Sequence, residues 1–316
     1  MRFFGLLLWF FSSLAVSQGY PARPVRMLVG FPPGGGTDIN ARMLAPKLSE
    51  YLGQTFVVEN RPGATTNIAS ELVAKSPPDG YTLLFTTSAL AINKSLYRNL
   101  SYDALRDFAP ISIFSDSPNI LAVPAGLAAA DVRQLVALAK AQPGALNYSS
   151  AGSGTTQHLA GELFKLRTGT DIVHVPYKGT AASLTALIAG EVQLSFANIP
   201  AILQHVKSGR LRALAVAGSR RSEQLPEVPT MRESGVNGVE VPVWYAMLAP
   251  AGTPPAIVAD LARATARAAR DPGLKQKLLE QGVEPVGDTP EEFGELLREE
   301  VAKWAEVVKL SGARAD

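Results

Sequence analysis

Cysteine is absent from the 316 residues of this chain, and histidine occurs only 3 times. Without cysteine there can be no disulfide bond, no lipid anchor on a cysteine and no thiolate metal ligand. The histidines do not form a pair at metal-ligand spacing either. The sequence therefore predicts no metal site, and no motif in it requires a cofactor.

Strong charge of either sign is also absent, because 30 Lys and Arg residues stand against 28 Asp and Glu residues. The basic residues are scattered rather than clustered. This balance argues against nucleic acid and against a membrane surface as the partner. If the chain binds an anion, local geometry must hold it, since the chain provides no strong overall field.

Long apolar runs are missing after the N-terminus, and the run at the N-terminus is too short to span a bilayer. Met1-Arg2 is a short positive region, Phe3 to Phe11 is apolar, and Ala15-Val16-Ser17 supplies the small residues that signal peptidase accepts. We expect residues 1–17 to be a signal peptide that is cleaved after Ser17. An exported chain with neither anchor nor disulfide fits the bacterial periplasm best.

A glycine-rich stretch, Phe31-Pro32-Pro33-Gly34-Gly35-Gly36-Thr37-Asp38, joins a predicted buried strand at Val25 to Val29 to a predicted helix. Glycine accepts the left-handed dihedrals of such a turn and lets a ligand approach the main chain. The free N–H groups at a helix N-terminus attract a small anion. Thr37 or Asp38 is the predicted N-cap. The apolar face of the predicted helix is formed by Ile39, Met43, Leu44, Leu48 and Leu52.

Two well-known glycine-rich sites are excluded at this turn. The dinucleotide fingerprint needs a third glycine where Ile39 stands, and the P-loop needs a Gly-Lys pair, which the chain lacks. For this stretch alone two interpretations remain, an anion site or a tight turn without a ligand.

A second stretch repeats the order of strand, glycine turn, hydroxyl residues and helix. Ala151-Gly152-Ser153-Gly154-Thr155-Thr156-Gln157 follows a strand predicted at Asn147 to Ser150 and opens a helix predicted from Gln157 to Leu166. Two such helix starts favour anion binding over two unrelated turns. Ser88 and Asn198 are polar residues at the ends of two further predicted strands.

Strand and helix patterns alternate along the chain, which predicts an α/β fold of mostly parallel sheets covered by helices. One alternating unit ends near residue 122, a second extends to about residue 245, and the remainder is helical. We predict that residues 18–122 and 247–316 form one lobe and that residues 123–246 form the other. Ligands of such sheets bind at the carboxyl ends of the strands.

Five short motifs accompany the two glycine stretches: Tyr20-Pro21, Glu59-Asn60-Arg61-Pro62-Gly63-Ala64, Pro78-Asp79-Gly80-Tyr81, His174-Val175-Pro176-Tyr177-Lys178-Gly179 and Lys303-Trp304. In combination the seven stretches resemble the solute receptors of tripartite tricarboxylate transporters, also called Bug proteins. The resemblance covers essentially the whole chain after the predicted signal peptide.

This resemblance implies a two-lobed fold of the type II periplasmic-binding-protein class that closes on a small carboxylate. It also implies that the receptor, expected as a monomer, delivers the ligand to a permease of the inner membrane. The ligand-binding residues that it implies are Phe31, Gly34, Gly35, Gly36, Thr37, Asp38, Ser88, Gly152, Ser153, Gly154, Thr155, Thr156, Tyr177 and Asn198.

The chain departs from the family pattern at two places. Thr65-Thr66 stands where the family usually has glycines, and Ala197 stands where an aspartate commonly precedes the asparagine. We expect the two threonines to narrow or re-polarise one wall of the cleft. The missing aspartate weakens any inference of an amino group on that side of the ligand.

A periplasmic serine hydrolase acting on small esters or amides is the alternative function. Ser153 or Ser88 would be its nucleophile, and the base would be His158, His174 or His205. The sequence around Ser153 lacks the outer glycines of a nucleophile elbow, and a side chain at His158 points along its helix. We therefore expect a binding protein without catalytic residues.

A scaffold protein is a third alternative. It would explain export but not two glycine turns at helix starts. Tyr177, Trp244 and Tyr245 fit a ligand cleft and a lobe interface equally well.

Overall fold

The computed structural model describes residues 19–315, so the predicted signal peptide lies outside the described residues. Its strands form two sheets that share one long strand. The first sheet contains, in spatial order, β2 (Phe56–Asn60), β1 (Val25–Val29), β3 (Thr82–Thr87), β9 (Pro242–Pro250), the first part of β4 (Phe108–Pro124) and β10 (Glu284–Pro285). The second contains β6 (Ile172–Pro176), β5 (Leu146–Ser150), β7 (Leu194–Asn198), the second part of β4 and β8 (Leu211–Ala217). We call the two halves built on these sheets the first and the second lobe.

Helices flank both sheets, as expected for an α/β fold. They are α1 (Gly36–Leu52), α2 (Asn67–Ala74), α3 (Ala89–Leu96), α4 (Val132–Ala141), α5 (Thr156–Thr168), α6 (Thr180–Ala189), α7 (Ile199–Lys207), α8 (Pro255–Arg270), α9 (Pro272–Glu280) and α10 (Pro290–Ser311).

Parallel pairing is confirmed for the three outer strands of each sheet. β1 is parallel to both β2 and β3, and β5 is parallel to both β6 and β7. The two strands that cross between the lobes, β4 and β9, are antiparallel to each other and introduce antiparallel pairing into the sheets. The α/β architecture is therefore two mixed sheets, each with a parallel outer part that carries the strand-to-helix turns.

The long strand β4 changes partners in its middle. It pairs with β9 as far as Pro118, opposite Pro242, and with β7 from Asn119, opposite Asn198. Both lobes are thus hydrogen-bonded to one continuous strand. The exchange lies four residues before the crossing that the sequence predicts near residue 122.

Helices α1 and α8 cover one face of the sheet in the first lobe. Leu44 and Leu48 of α1 are fully buried among Met27 and Phe85 of the sheet, and Leu261 of α8 joins the same cluster. Burying a leucine side chain contributes roughly 1.5–3 kcal/mol. This packing fixes α1, and therefore the turn before it, against the edge of the cleft.

The predicted N-cap of α1 is wrong. The helix begins at Gly36 with Gly35 as its N-cap, so Thr37 and Asp38 lie inside the first turn. The reason is that the Asp38 carboxylate reaches back and accepts a hydrogen bond from the Gly34 N–H at 3.0 Å. The observed N-cap therefore lies two residues before Thr37 and three before Asp38.

Candidate functional site

A cleft lies between the two lobes, at the carboxyl ends of β1, β3, β5 and β7. The cleft is lined by Phe31, Pro32, Pro33, Gly35, Gly36, Thr37, Thr87, Ala151, Thr155, Thr156, Gln157, Lys178, Gly179, Thr180, Ala181, Asn198 and Val243. Residues from both lobes therefore face the same space.

The first glycine turn is held from behind by Asp38. Besides Gly34, its carboxylate accepts hydrogen bonds from Arg42 at 3.0 Å and from Asn60 at 2.9 Å. Burial alone would raise the pKa of Asp38, but the bonds from Arg42, Gly34 and Asn60 outweigh it and lower the pKa. The carboxylate is thus ionised and fully engaged with the protein, and it shapes the turn from outside the cleft.

The second glycine turn is held by the side chains that follow it. The Thr155 hydroxyl accepts from the His158 N–H at 3.3 Å and donates to the Gly152 carbonyl at 2.8 Å. The Gly154 N–H donates to Nδ1 of His158 at 3.2 Å. Thr155 is the N-cap of α5, so the N–H groups of Thr156 and Gln157 remain at the helix end beside the cleft.

A third helix start, that of α6, faces the same cleft and was not among the predicted site residues. Gly179 is its N-cap with φ of +103°, a conformation that favours glycine. The Gln157 side chain donates to the Thr180 hydroxyl at 3.1 Å and so ties α5 to α6. Only the fold shows that this helix start points into the cleft.

Beside Gly36, two buried polar atoms have no hydrogen-bond partner in the described part of the chain. These are the Tyr245 hydroxyl and Oδ1 of Asn198, on residues that are 0% and 6% exposed. Burial raises the pKa of Tyr245 far above its usual range, so its hydroxyl keeps its proton. An unpaired buried hydroxyl or amide is costly, so these atoms are available to a water molecule or a ligand.

The electrostatics of the cleft are positive. Three helix N-termini face it, each with partial positive charge. Of the described residues that line it, Lys178 is the only one with a charged side chain. Within residues 19–315, Lys178 has no carboxylate within 4.0 Å. The site therefore suits an anion.

The structure brings part of the predicted site together in this cleft. The predicted residues that line it are Phe31, Gly35, Gly36, Thr37, Thr155, Thr156 and Asn198. Gly152 and Tyr177 line an adjoining outer cavity together with Phe31. Gly34 lies at a separate surface cavity beside α6 and α7.

The remaining predicted residues make protein contacts near the cleft. Ser88 is fully buried, and its hydroxyl accepts a hydrogen bond from the main-chain N–H of Trp244 at 3.3 Å. The Ser153 carbonyl accepts a hydrogen bond from Thr65 at 2.6 Å, and Gly154 packs against Asn93. Their role as ligand contacts stays a prediction.

The residues that the sequence analysis missed are mainly those whose position depends on lobe packing. They include Thr87, Gln157, Lys178, Thr180 and Val243. Tyr245, which fitted two interpretations, is fully buried beside Gly36, whereas Trp244 packs edge-on against Phe293 at a centroid distance of 5.4 Å.

The histidines are not arranged for serine catalysis. In the described residues neither Ser88 nor Ser153 is hydrogen-bonded to a histidine, and His174 instead contacts the Ser150 hydroxyl at 2.7 Å. Burial lowers the pKa of His158 to about 4 and that of His174 to about 3. Histidines that resist protonation in this way are poor general bases at neutral pH. The serine hydrolase alternative is not supported.

A two-lobed α/β fold with helix N-termini converging on an interlobe cleft defines a solute-binding protein. Among residues 19–315, no helix combines the length and the apolar character needed to cross a membrane.

The chain belongs to the receptor family of the tripartite tricarboxylate transporters, whose model matches residues 40–313. It is 41% identical to protein BugT of Bordetella pertussis over 297 residues, which cover 93% of this chain and 91% of BugT. It is therefore a solute receptor of the Bug type.

Solved structures of similar proteins contain ligands. Rpa4515 of R. palustris, solved with adipate, has a TM-score of 0.90 and 39% identity, covering 93% of this chain and 99% of that one. MatC of Rhodopseudomonas palustris, solved with bound malate, has a TM-score of 0.87 and 30% identity, covering 92% and 100%. Both are proteins to which this chain is similar over nearly its whole length.

Proposed function

We propose that this receptor binds a small carboxylate in the interlobe cleft, in the periplasm, and delivers it as a monomer to the membrane component of a tripartite transporter. The observation that carries the proposal is the convergence of the N-termini of α1, α5 and α6 on a cleft with no acidic lining residue among those described. Adipate and malate, found in two similar proteins, are both carboxylates.

The free energies are consistent with this chemistry. A helix N-terminus contributes roughly 0.3–1 kcal/mol towards an anion, and up to ~2 kcal/mol when desolvated. Micromolar affinity requires about 8 kcal/mol. The rest must come from charge-assisted hydrogen bonds of roughly 1.5–3 kcal/mol each. The Thr37, Thr156 and Thr180 hydroxyls and the free N–H groups supply enough donors for one carboxylate.

The space beyond the cleft receives the remainder of the ligand. The outer cavity shares the lining residues Phe31 and Pro32 with the cleft, and its other walls include Pro62, Ala64 and Tyr177. These walls are largely apolar, and Lys178 lines both spaces. We infer that the carboxylate lies at the helix ends and that the carbon skeleton extends outward.

We further propose that the lobes close on this ligand by bending where the strands change partners, at Pro118–Asn119 of β4 and before Pro242 of β9. A ligand that bridges the lobes favours the closed form. No chemical step on the ligand is proposed, so the receptor should return it unchanged.

The test is a thermal-shift titration of the exported protein with adipate and malate, and with adipamide as the uncharged control for adipate. A ligand at 100 times its Kd stabilises the folded state by roughly 2.7 kcal/mol. We expect at least one carboxylate to raise Tm and adipamide to leave it unchanged. Equal stabilisation by adipate and adipamide would contradict an anion site.

A further inference from the structure

The loop between β2 and α2 carries an unusual backbone. Ala64, Thr65 and Thr66 have φ values of +43°, +48° and +74°, and they are the three non-glycine residues with positive φ in the described chain. The left-handed region is unfavourable for residues with a Cβ atom, most of all for β-branched residues such as threonine. Three such residues in sequence persist only where their surroundings hold them.

The contact that holds this loop is made across the cleft. The Thr65 hydroxyl donates to the Ser153 carbonyl of the second lobe at 2.6 Å. From its own lobe, the Asn93 amide donates to the Thr65 carbonyl at 2.7 Å and to Oδ1 of Asn67 at 2.7 Å. The Thr65 backbone is thus fixed to the first lobe while its side chain bonds to the second.

The surrounding glycines allow this close approach. A Cβ atom on Gly152 would lie 3.0 Å from the Thr65 hydroxyl, and one on Gly154 would lie 2.5 Å from Oδ1 of Asn93. On the other side, a Cβ atom on Gly30 would lie 2.6 Å from the Thr66 Cα atom. Backbones from both lobes therefore meet at van der Waals distance around one short hydrogen bond.

We propose that Thr65 is a latch, a positioning residue that holds the second glycine turn against the first lobe and so favours the closed receptor. Ser153 lies two residues before Thr155, which lines the cleft and caps α5. The bond can form only while the lobes are close together, so it stabilises the closed state and not the open one. The latch rests on the proposed function only in taking this cleft as the ligand site.

Three substitutions separate the hydroxyl from the backbone. Thr65→Val keeps the β-branched shape and the strained dihedrals but removes the donor. Thr65→Ser keeps the donor on an unbranched side chain. Thr65→Gly removes the donor and also relieves the strain, because glycine accepts positive φ freely. Thr65→Val should therefore be less stable to heat than Thr65→Gly.

The experiment measures lobe closure in the ligand-free protein, so it does not depend on knowing the ligand. Because the chain has no cysteine, a spin-label pair can be introduced with Lys75→Cys and Glu191→Cys, both at exposed positions. Lys75 lies at the end of α2 in the first lobe, and Glu191 follows α6 in the second. Their separation should lengthen when the lobes open.

We expect the Thr65→Val protein to show an open-to-closed ratio about fivefold higher than the wild type, as loss of one ordinary hydrogen bond produces. Thr65→Ser should restore the wild-type distance distribution. An unchanged distribution in Thr65→Val, or failure of Thr65→Ser to restore it, would overturn the latch. The carboxylate titration of the wild type tests the proposed function separately.

Discussion

A Cβ atom on Gly36 would lie 2.5 Å from the Tyr245 hydroxyl, whereas one on the neighbouring Gly35 would meet no atom closer than 3.9 Å. The two glycines therefore serve different purposes. Gly36 allows the first turn of α1 to pack closely against Tyr245 and Asn198. Gly35 leaves space on the side that faces Thr180, whose hydroxyl is 4.0 Å from such a Cβ atom.

Gly36→Ala should destabilise the fold, because the added methyl group overlaps Tyr245 and the Asn198 amide. Overpacking of this kind costs roughly 1–3 kcal/mol. Gly35→Ala should leave Tm unchanged, since φ of −84° and ψ of 167° suit any residue, but it should weaken carboxylate binding roughly tenfold, or about 1.4 kcal/mol. Thermal denaturation and calorimetric titration separate the two effects. Unaltered affinity in the Gly35→Ala protein would show that this turn does not contact the ligand.

Asp38→Asn should loosen the first glycine turn. The substitution keeps one oxygen acceptor but removes the charge that Arg42 and the Gly34 N–H bond to. Hydrogen bonds to charged groups are worth roughly 1.5–3 kcal/mol, so the free energy of unfolding should fall by that order. Urea denaturation measures this change.

The matched control for Asp38 is Glu50→Gln on the same helix. Glu50 is exposed and pairs only with Lys47 among the described residues, and such surface pairs contribute about 0–1 kcal/mol. If both substitutions lower the free energy of unfolding by the same small amount, the hydrogen bonds of Asp38 do not determine the conformation of the turn.

Acid should destabilise the second lobe through a stacked histidine pair. The rings of His158 and His174 lie 4.0 Å apart between centroids. Burial is the main cause that lowers the pKa of both, to about 4 and about 3. Lys165 lowers both pKa values further, while Glu162 opposes the shift at His174. Their ordinary pKa near 6.5 returns on unfolding.

Since both folded-state pKa values are depressed, protonation favours the unfolded chain. The stabilisation is fully present above pH 6.5 and is lost as pH falls towards 4 and 3, with a slope of up to roughly 1.4 kcal/mol per pH unit for each histidine. His158→Asn keeps an acceptor for the Gly154 N–H but cannot be protonated, so denaturant titrations at pH 7 and pH 4.5 should differ less for this variant. His205→Asn, outside the pair, should change the pH dependence less. An identical acid dependence in wild type and His158→Asn would contradict this account.

Local signals in the sequence predicted much of the fold. The bounds of β1 are as predicted, and β5 and α5 lie within two residues of their predicted bounds. The Asp131 cap of α4 and the capping box of Thr289 and Glu292 at the start of α10 are equally local, because each depends only on residues within one helical turn. Features that depend on distant partners were harder to predict. The Asp38 carboxylate, for example, accepts a hydrogen bond from Asn60, which lies 22 residues away in the sequence.

The site was only partly predictable for the same reason. Glycine turns before helices can be recognised in the sequence, which is how Gly36 and Thr155 were selected. That α6 also points into the cleft depends on how the second lobe packs. The exposure of Ile68 and Leu72 on α2, at 46% and 47%, likewise does not follow from their apolar character. Periodicity shows which residues share a face, but not what covers that face.

The sharing of β4 between the sheets bears on how the molecule unfolds. Melting of either lobe would leave the backbone hydrogen-bonding groups of half of this 17-residue strand without partners. Helix α10 reinforces the connection, since it packs on both α3 and α5. Neither lobe has a complete sheet of its own. The two lobes should therefore melt together in one cooperative transition, even if they move relative to each other in the closure that we propose.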